Sequence, residues 1–246
     1  MGKFISNFDT TAELATFSAT TDFGRPHVSL TKDDSKIHYF EDPYNGHQYV
    51  EIGGIKWATM NIGANSITDT GIYFQWGDTS GYTASQVGSG AGQKYFAWAD
   101  YKFGNGTSSP GATGMTKYNA TDGLTTLEAV DDAAVANWGG SWRMPTTAEF
   151  QALGSAVNTA WTQVNNVYGI LCTDKTDSSK TLFFPAAGYC NDGSVRSVGS
   201  SGSYWSSSLP ADGGQDAYDL YFGSDVTFWG DLYSRCIGFA VRPVVG

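Results

Sequence analysis

The side chains able to carry nucleophilic, redox or metal chemistry are few, and their spacing suits none of the three. Cys172, Cys190 and Cys236 are separated by 18 and 46 residues, which matches no zinc, redox or haem motif. An odd number does not complete a disulfide framework, so they read as free thiols that behave as small apolar groups. His27, His38 and His47 are the only histidines and all fall in the first fifth of the chain. The rest of the chain therefore lacks the commonest general base and zinc ligand. No catalytic residue, metal-ligand set or cofactor follows from these residues.

The C-terminal quarter carries a different chemistry, that of recognition. In AYDLYF, Tyr218, Leu220 and Phe222 recur at period two and are expected to face a core. Asp219, Tyr221 and Gly223 then face the other way. In GFAVRPV, Phe239 and Val241 are expected to point inward, and Ala240 and Arg242 outward. Between these segments DVTFWGDLYSRCI mixes Thr227, Trp229, Asp231, Tyr233, Ser234 and Arg235. Outward Tyr and Trp among Ser, Gly and Asp give large contact area at low entropic cost, as in a paratope. The candidate ligand-binding residues are Asn191, Asp192, Arg196, Asp219, Tyr221, Gly223, Asp225, Thr227, Trp229, Asp231, Tyr233 and Ser234. Lys and Glu together number 14, yet none occurs after Lys180; even spacing would place about 4 in those last residues.

These residues need a scaffold, and composition narrows it. The chain has 246 residues, 15% aromatic, 15% charged and 31 glycines. That balance suits a loop-rich β or α+β domain better than a helical bundle or a disordered chain. A net charge of −10 argues against a nucleic-acid partner, which would demand Lys and Arg to neutralise phosphates. No apolar run approaches the roughly 18 residues of a membrane span, so membrane insertion is not expected. The opening MGKFISNFDTTAELATF has no apolar signal segment and no lipidation cysteine.

Residues 1–45 read as an arm for assembly or docking. A short helix could open at Thr10–Leu14, HVSL and KIHYF read as strands joined by a turn at Asp33, Asp34 and Ser35, and EDPYNGH reads as a linker with an Asn45-Gly46 turn. The main domain is expected over 46–246. QYVEIGGIKWATMNIGA reads as two strands about a Gly53-Gly54 turn. Residues 77–123 read as long loops, with IYFQW and KYFAWADYKF packing onto the core. A first helix is expected over 125–138, with Thr125 and Glu128 at capping-box spacing and Leu127, Val130, Ala134 and Trp138 on one face. A second follows Pro145, with Thr146 and Glu149 as its capping box and Phe150, Leu153 and Val157 on one face. Short strands follow from Tyr168. Helices in the middle and strands at the end make an α+β domain.

KWATMNIGA, YFQWGD, DDAAVANWGGSWRMPTTAEF, FFPAAGY, YWSSS and GFAVRPV, in that order, resemble a bacterial lectin-like domain common in surface and phage proteins. Its fold is that of the formylglycine-generating-enzyme group, a branch of the C-type lectin fold. The WRMPTTAEF segment resembles that group's W-R-[LM]-P-T-x-x-E-[FW] motif, and the resemblance covers roughly 46–246. It implies mixed, mostly antiparallel sheets with two helices and long loops, and terminal strands near Tyr49–Ile52 and Phe239–Val244 lying side by side. Within the motif Trp142 is expected to fill the core, and Arg143 to satisfy backbone carbonyls or a carboxylate.

Oxidase members of the group carry a cysteine pair, one next to a G-F-R motif. Here that motif reads Gly238-Phe239-Ala240-Val241-Arg242-Pro243, with Cys236 two residues before it and no second cysteine in place. Calcium-dependent sugar binders carry E-P-N or Q-P-D and then W-N-D; neither occurs, and Asp212, Asp216, Asp219 and Asp225 read as solvated loop carboxylates. The tail between YWSSS and GFAVRPV is similar to the variable region of C-type-lectin proteins diversified by retroelements, in which adenines of Asn codons are randomised, although Gln215 and Trp229 do not fit that pattern. The N-terminal stretch resembles the start of tail or fibre proteins of phages of gut anaerobes. The resemblance implies a binding protein for a cell-surface protein or glycan, on a virion or an extracellular or cell surface, with homo-oligomer or virion assembly through the arm. The alternatives are a formylglycine-generating-type oxidase and a secreted bacterial adhesin.

Overall fold

In the computed structural model residues 43–106 and 114–246 are described in full, together with the backbone of three strands nearer the start. The chain divides into two units, Met1–Gln48 and Tyr49–Gly246. In the first, β1 (Asn7–Phe8), β2 (His27–Thr31) and β3 (Ile37–Phe40) form one sheet, parallel between β1 and β2 and antiparallel between β2 and β3. HVSL and KIHYF thus pair as strands, with Leu30 opposite Ile37. The turn expected at Asp33–Ser35 and the helix expected at Thr10–Leu14 lie outside the described residues. Asn45 and Gly46 take φ of 47° and 78°, and the His47 N–H closes the turn onto the Tyr44 carbonyl at 3.0 Å. Two consecutive positive φ values are what an Asn-Gly turn supplies at low steric cost.

The second unit runs β4 (Tyr49–Ile52), β5 (Ile55–Ala58), α1 (Ala133–Trp138), β6 (Trp142–Arg143), α2 (Thr147–Ala156), β7 (Val157–Val164), β8 (Val167–Asp174), β9 (Thr181–Pro185), β10 (Tyr189–Asn191), β11 (Ser194–Arg196), β12 (Gly202–Trp205), β13 (Asp216–Phe222), β14 (Thr227–Ser234) and β15 (Val244–Val245). Among the described residues, two helices and small antiparallel sheets make this an α+β unit. The sheet order β4-β5-β15-β6 brings both ends of the unit into one sheet. The expected side-by-side contact is made by β5 rather than β4: Val244 pairs with Trp57, and β4 lies one strand further out. The reason is the two-residue Gly53-Gly54 connection (φ 62° and 78°), which folds β5 back against β4 and leaves its other edge for the C-terminus.

The first helix is shorter than the 125–138 expected. Thr126 bridges Ser208 as extended chain, a single 3-10 turn covers Ala129–Asp131, and α1 begins only after Asp132, whose carboxylate accepts the Ala134 and Val135 N–H groups. Asp132 is a better N-cap than Thr125 because it also accepts the Met144 N–H at 2.9 Å, so tertiary contact selects the start. Val130, placed on the apolar face, is exposed. The second helix follows its signals: the Thr146 hydroxyl accepts from the Glu149 N–H, and Glu149 accepts from the Thr146 N–H at 2.7 Å. Phe150 and Leu153 are buried. The helix stops at Ala156, however, and Val157 opens β7, which pairs along its length with β8 through an Asn165-Asn166 turn.

The core lies in two clusters. One gathers Phe74, Trp76, Tyr101, Phe103, Tyr118, Met144, Trp205, Ala217, Phe239 and Val241. The other gathers Ile52, Trp57, Phe150, Leu153, Ile170, Phe184, Tyr204, Leu220, Phe222, Ala240 and Val244. Neighbours in sequence alternate between them: Tyr204 and Trp205, Phe239 and Ala240. The middle of β12, β13 and the 239–241 stretch are therefore buried on both faces. This corrects the expectation that Ala240 and Arg242 face outward, since both are fully buried. The IYFQW and KYFAWADYKF segments do pack inward, through Tyr73, Phe74, Trp76, Phe96, Tyr101 and Phe103. Trp142 is buried, and Arg143 pairs with Glu149 through both terminal nitrogens, at 2.8 and 2.5 Å, as well as with the Met144 carbonyl.

Arg242 donates to Asn61 Oδ1 (2.9 Å) and to the carbonyls of Ala58, Thr59 and Phe183 (3.1, 3.1 and 3.0 Å). Removing it takes a donor from all four acceptors, of which Asn61, Ala58 and Phe183 lie in the buried interior. Arg242→Met should cost roughly 3 kcal/mol or more in urea unfolding, against about 1 kcal/mol for the cap variant Thr146→Ala. Equal losses would show that Arg242 is a peripheral contact.

Candidate functional site

The candidate residues sit on two antiparallel arrays. Strands β12, β13 and β14 form a sheet in which β13 is central and β14 is an edge. Along β13, Asp219 and Tyr221 share one face with Ala217, and Tyr218, Leu220 and Phe222 share the other. The period-two reading of AYDLYF therefore has the correct direction. It is wrong about solvent: Asp219 is completely buried, while Tyr218 is only half-buried. Asp219 thus also departs from the expected loop carboxylate. Trp205 pairs with it on one side and Asp231 on the other.

On β14 the candidate residues Thr227, Trp229, Asp231 and Tyr233 do not share a face. Phe228 pairs with Tyr221, but Asp231 pairs with Asp219, so β14 holds one residue more than β13 over this stretch. Such a bulge resets which side chains point where. Gly230 lies inside it at φ 152°. Phe228, Asp231 and Tyr233 consequently share the Asp219–Tyr221 face. Thr227, opposite Phe222, and Ser234, opposite Asp216, lie on the other. Trp229 turns toward α2, where a Cβ built on Gly154 would meet its indole at 2.6 Å. Trp229 therefore seats the helix. Ser234 is held by Asp216 at 3.1 Å. Gly223 and Asp225 belong to the β13–β14 turn, closed by the Gly223 N–H on the Val226 carbonyl at 2.9 Å.

The second array is the β10–β11 hairpin, where Tyr189 pairs with Arg196 and Asn191 with Ser194. Asp192 occupies its turn at φ 48°, tied by N–H bonds from Asp192 and Gly193 to the Phe96 and Tyr95 carbonyls at 3.4 and 2.6 Å. Tyr189 reaches the sheet: its ring lies 6.2 Å from that of Tyr233, which is 5.3 Å from that of Phe239. Tyr221 and Phe228 stack at 6.2 Å. The structure thus brings together Asp219, Tyr221, Asp231 and Tyr233 and adds two residues the sequence did not single out, Tyr189 and Phe228. Period-two reading carried past an unseen bulge hides Phe228. Asn191, Asp192 and Arg196 lie on the hairpin, and Thr227, Trp229, Ser234, Gly223 and Asp225 stand apart from this face.

Electrostatically, the face centres on Asp219. Neither of its carboxylate oxygens has a hydrogen-bond partner. Burial pushes its carboxyl well above the usual carboxylate range, Asp231 across the strand adds to this, and its own amide N–H offsets little of it. The Tyr233 phenol is raised as well, first by burial and then by Tyr189, Asp219, Tyr221 and Asp231. Among the described residues no group of three or more His, Cys, Asp or Glu could hold a metal ion, and no helix is long and apolar enough to cross a membrane. Comparison with protein-family models, curated proteins and solved structures finds no match to this chain.

A carboxyl group whose folded-state pKa exceeds its unfolded value stabilises the fold most below the unfolded value, about 4, and loses that contribution as pH rises through the folded value. Asp219→Asn cannot ionise. Its unfolding midpoint should therefore rise relative to the parent as pH increases from 4 to about 8; a difference independent of pH would show that Asp219 is not held protonated by its surroundings.

Proposed function

We propose that this chain is a non-catalytic ligand-binding protein of C-type-lectin fold, of the formylglycine-generating-enzyme branch, that recognises a cell-surface protein or glycan through its C-terminal strands. One observation carries the reading: among the described residues, Val226, Phe228, Leu232 and Tyr233 are large, apolar and exposed along a single edge strand and its turn. Exposed aromatics concentrated on one edge are a burden for a protein that meets nothing there, because they invite aggregation. The fold reading is supported by the sheet that unites β4, β5 and β15, and by the helix capped directly after Trp142–Pro145. The absence of Lys and Glu after Lys180 fits a C-terminal region diversified by a retroelement, with the 1–45 segment as an assembly arm on a phage tail tip or displayed receptor-binding protein.

The thiols argue against the oxidase alternative. Cys172, Cys190 and Cys236 are all buried and free. Burial raises the Cys172 and Cys236 thiols to about 12 and lifts Cys190 as well. At pH 8 a thiol of that pKa is ionised in roughly one molecule in ten thousand, and the thiolate is the reactive and metal-binding form. In the native protein all three should react slowly with a thiol-specific disulfide reagent and react fully only on unfolding. Rapid modification of a pair, with stoichiometric copper binding, would favour the oxidase.

Binding of the tagged chain to intact bacterial cells and to arrayed glycans tests the surface. Phe228→Ala and Tyr233→Ala should each weaken binding by about tenfold or more, as expected for aromatic hot spots, with stability changed by far less than the roughly 3–5 kcal/mol of Phe222→Ala, a fully buried control. Unchanged binding with intact folding would move the surface elsewhere.

A further inference from the structure

A buried carboxylate with two unpartnered oxygens is costly. Moving a carboxylate from water into a protein interior carries a penalty of several kcal/mol even after relaxation. Buried polar groups without partners are rare enough that each calls for a physical reason. Nothing in the fold requires an acid at Asp219. It lies on the face shared by Trp205 and Ala217, both buried in an apolar cluster. Its oxygens support no turn, cap or ion pair, unlike Asp100, Asp131 and Asp132, which are all bonded inside the protein.

What surrounds Asp219 has a recognisable chemistry. Asp231 stands directly opposite on the edge strand and is partly exposed. Tyr221 and Phe228 form a stacked pair on one side, and Tyr189 and Tyr233 close the other. Four aromatic rings around two carboxylates concentrate negative potential, since ring faces and carboxylates both attract cations. The described positive charge nearest in the hairpin register is Arg196, across from Tyr189. It is exposed and forms no ion pair with Asp219 or Asp231. Among the described residues neither Asp219 oxygen has a partner, and the Asp231 carboxylate accepts only the N–H of its neighbour Leu232.

We infer that this face recognises a guanidinium group, an arginine side chain presented by a protein, which parts the rings of Tyr221–Phe228 from those of Tyr189–Tyr233 to reach the enclosed Asp219 and bond its two oxygens. The Asp219 proton leaves to solvent as the pair forms. Guanidinium fits better than ammonium because its planar fork donates two parallel N–H bonds to one carboxylate and stacks on aromatic faces. The two unpartnered Asp219 oxygens match that fork, and Asp231 at the rim steers the cation inward. This assignment rests on the binding-surface reading and selects a protein over a glycan as its ligand.

Methylguanidinium is the probe, followed by amide chemical shifts of the full chain. Saturable shifts are expected at residues 219, 231 and 233, with N-methylurea, its neutral isostere, producing none and n-butylammonium binding several-fold more weakly. Asp219→Asn keeps the side-chain shape and should weaken methylguanidinium at least tenfold while the protein stays folded at an equal or higher melting temperature. Asp231→Asn should weaken it by less. Equal shifts from N-methylurea, or an undiminished affinity in folded Asp219→Asn, would overturn the proposal. So would shifts at these residues from calcium ion without any from methylguanidinium. Cell binding separates the two levels. If Phe228→Ala abolishes cell binding while Asp219→Asn and millimolar methylguanidinium leave it unchanged, the surface reading stands and the guanidinium assignment fails. If methylguanidinium binds as expected but neither variant changes cell binding, the guanidinium site stands and the surface reading fails.

Discussion

The Arg242 guanidinium sits completely buried, without a carboxylate, and makes four N–H bonds to oxygens of three separate parts of the chain. It bonds the ends of β5, the Asn61 amide and the Phe183 carbonyl of β9, and its plane lies 4.7 Å from the Phe184 ring centroid. Burial lowers it to about 10, which leaves it charged at neutral pH. A buried charge of this kind is tolerated where most of its donors meet acceptors. That requirement fixes the spatial relation of β5, β9 and the C-terminal stretch at once. Arg235, also buried, donates through its two terminal nitrogens to the carbonyls of Tyr118, Gly213 and Gly214, while its Nε has no partner.

Around these two arginines the central strands become two-sided. Tyr204 and Trp205, or Phe239 and Ala240, supply neighbouring side chains to different clusters, so the middle of the sheet has no solvent face. In the β12–β13–β14 sheet the exposed side chains lie on the edge strand β14. The bulge in β14 then decides which edge side chains gather. It sends Trp229 to the α2 side, where Gly154 leaves room for an indole and no more, and turns Phe228, Asp231 and Tyr233 to the Asp219 side. The same strand thus anchors a helix with one face and presents a ring of aromatics and acids with the other.

The surface is an economical one. Stability is supplied by the two clusters and by hydrogen-bonded loops such as the Lys102–Lys117–Tyr118–Asp131 network, in which all three donors meet one carboxylate. The edge residues can differ without disturbing that interior, because Phe228, Leu232 and Tyr233 are outside it. Asp219 is the exception. It is enclosed by the core, so its ionisation bears on folding energy.

Much of this was legible in the residues themselves. The Thr146–Glu149 box, the Gly53-Gly54 and Asn45-Gly46 turns, the alternation of AYDLYF and the inward aromatics of IYFQW all follow from local rules of capping, positive φ and period. So does the α+β class. Tertiary structure alone decided three things. Asp132 replaced Thr125 as a helix start because Met144 needed a partner for its N–H. Ala240 and Arg242 turned inward because the C-terminal strand passes between two cores, and alternation cannot tell a second core from water. The makeup of the candidate face depended on one extra residue in β14, which leaves no mark in composition or period yet reverses the direction of every side chain beyond it.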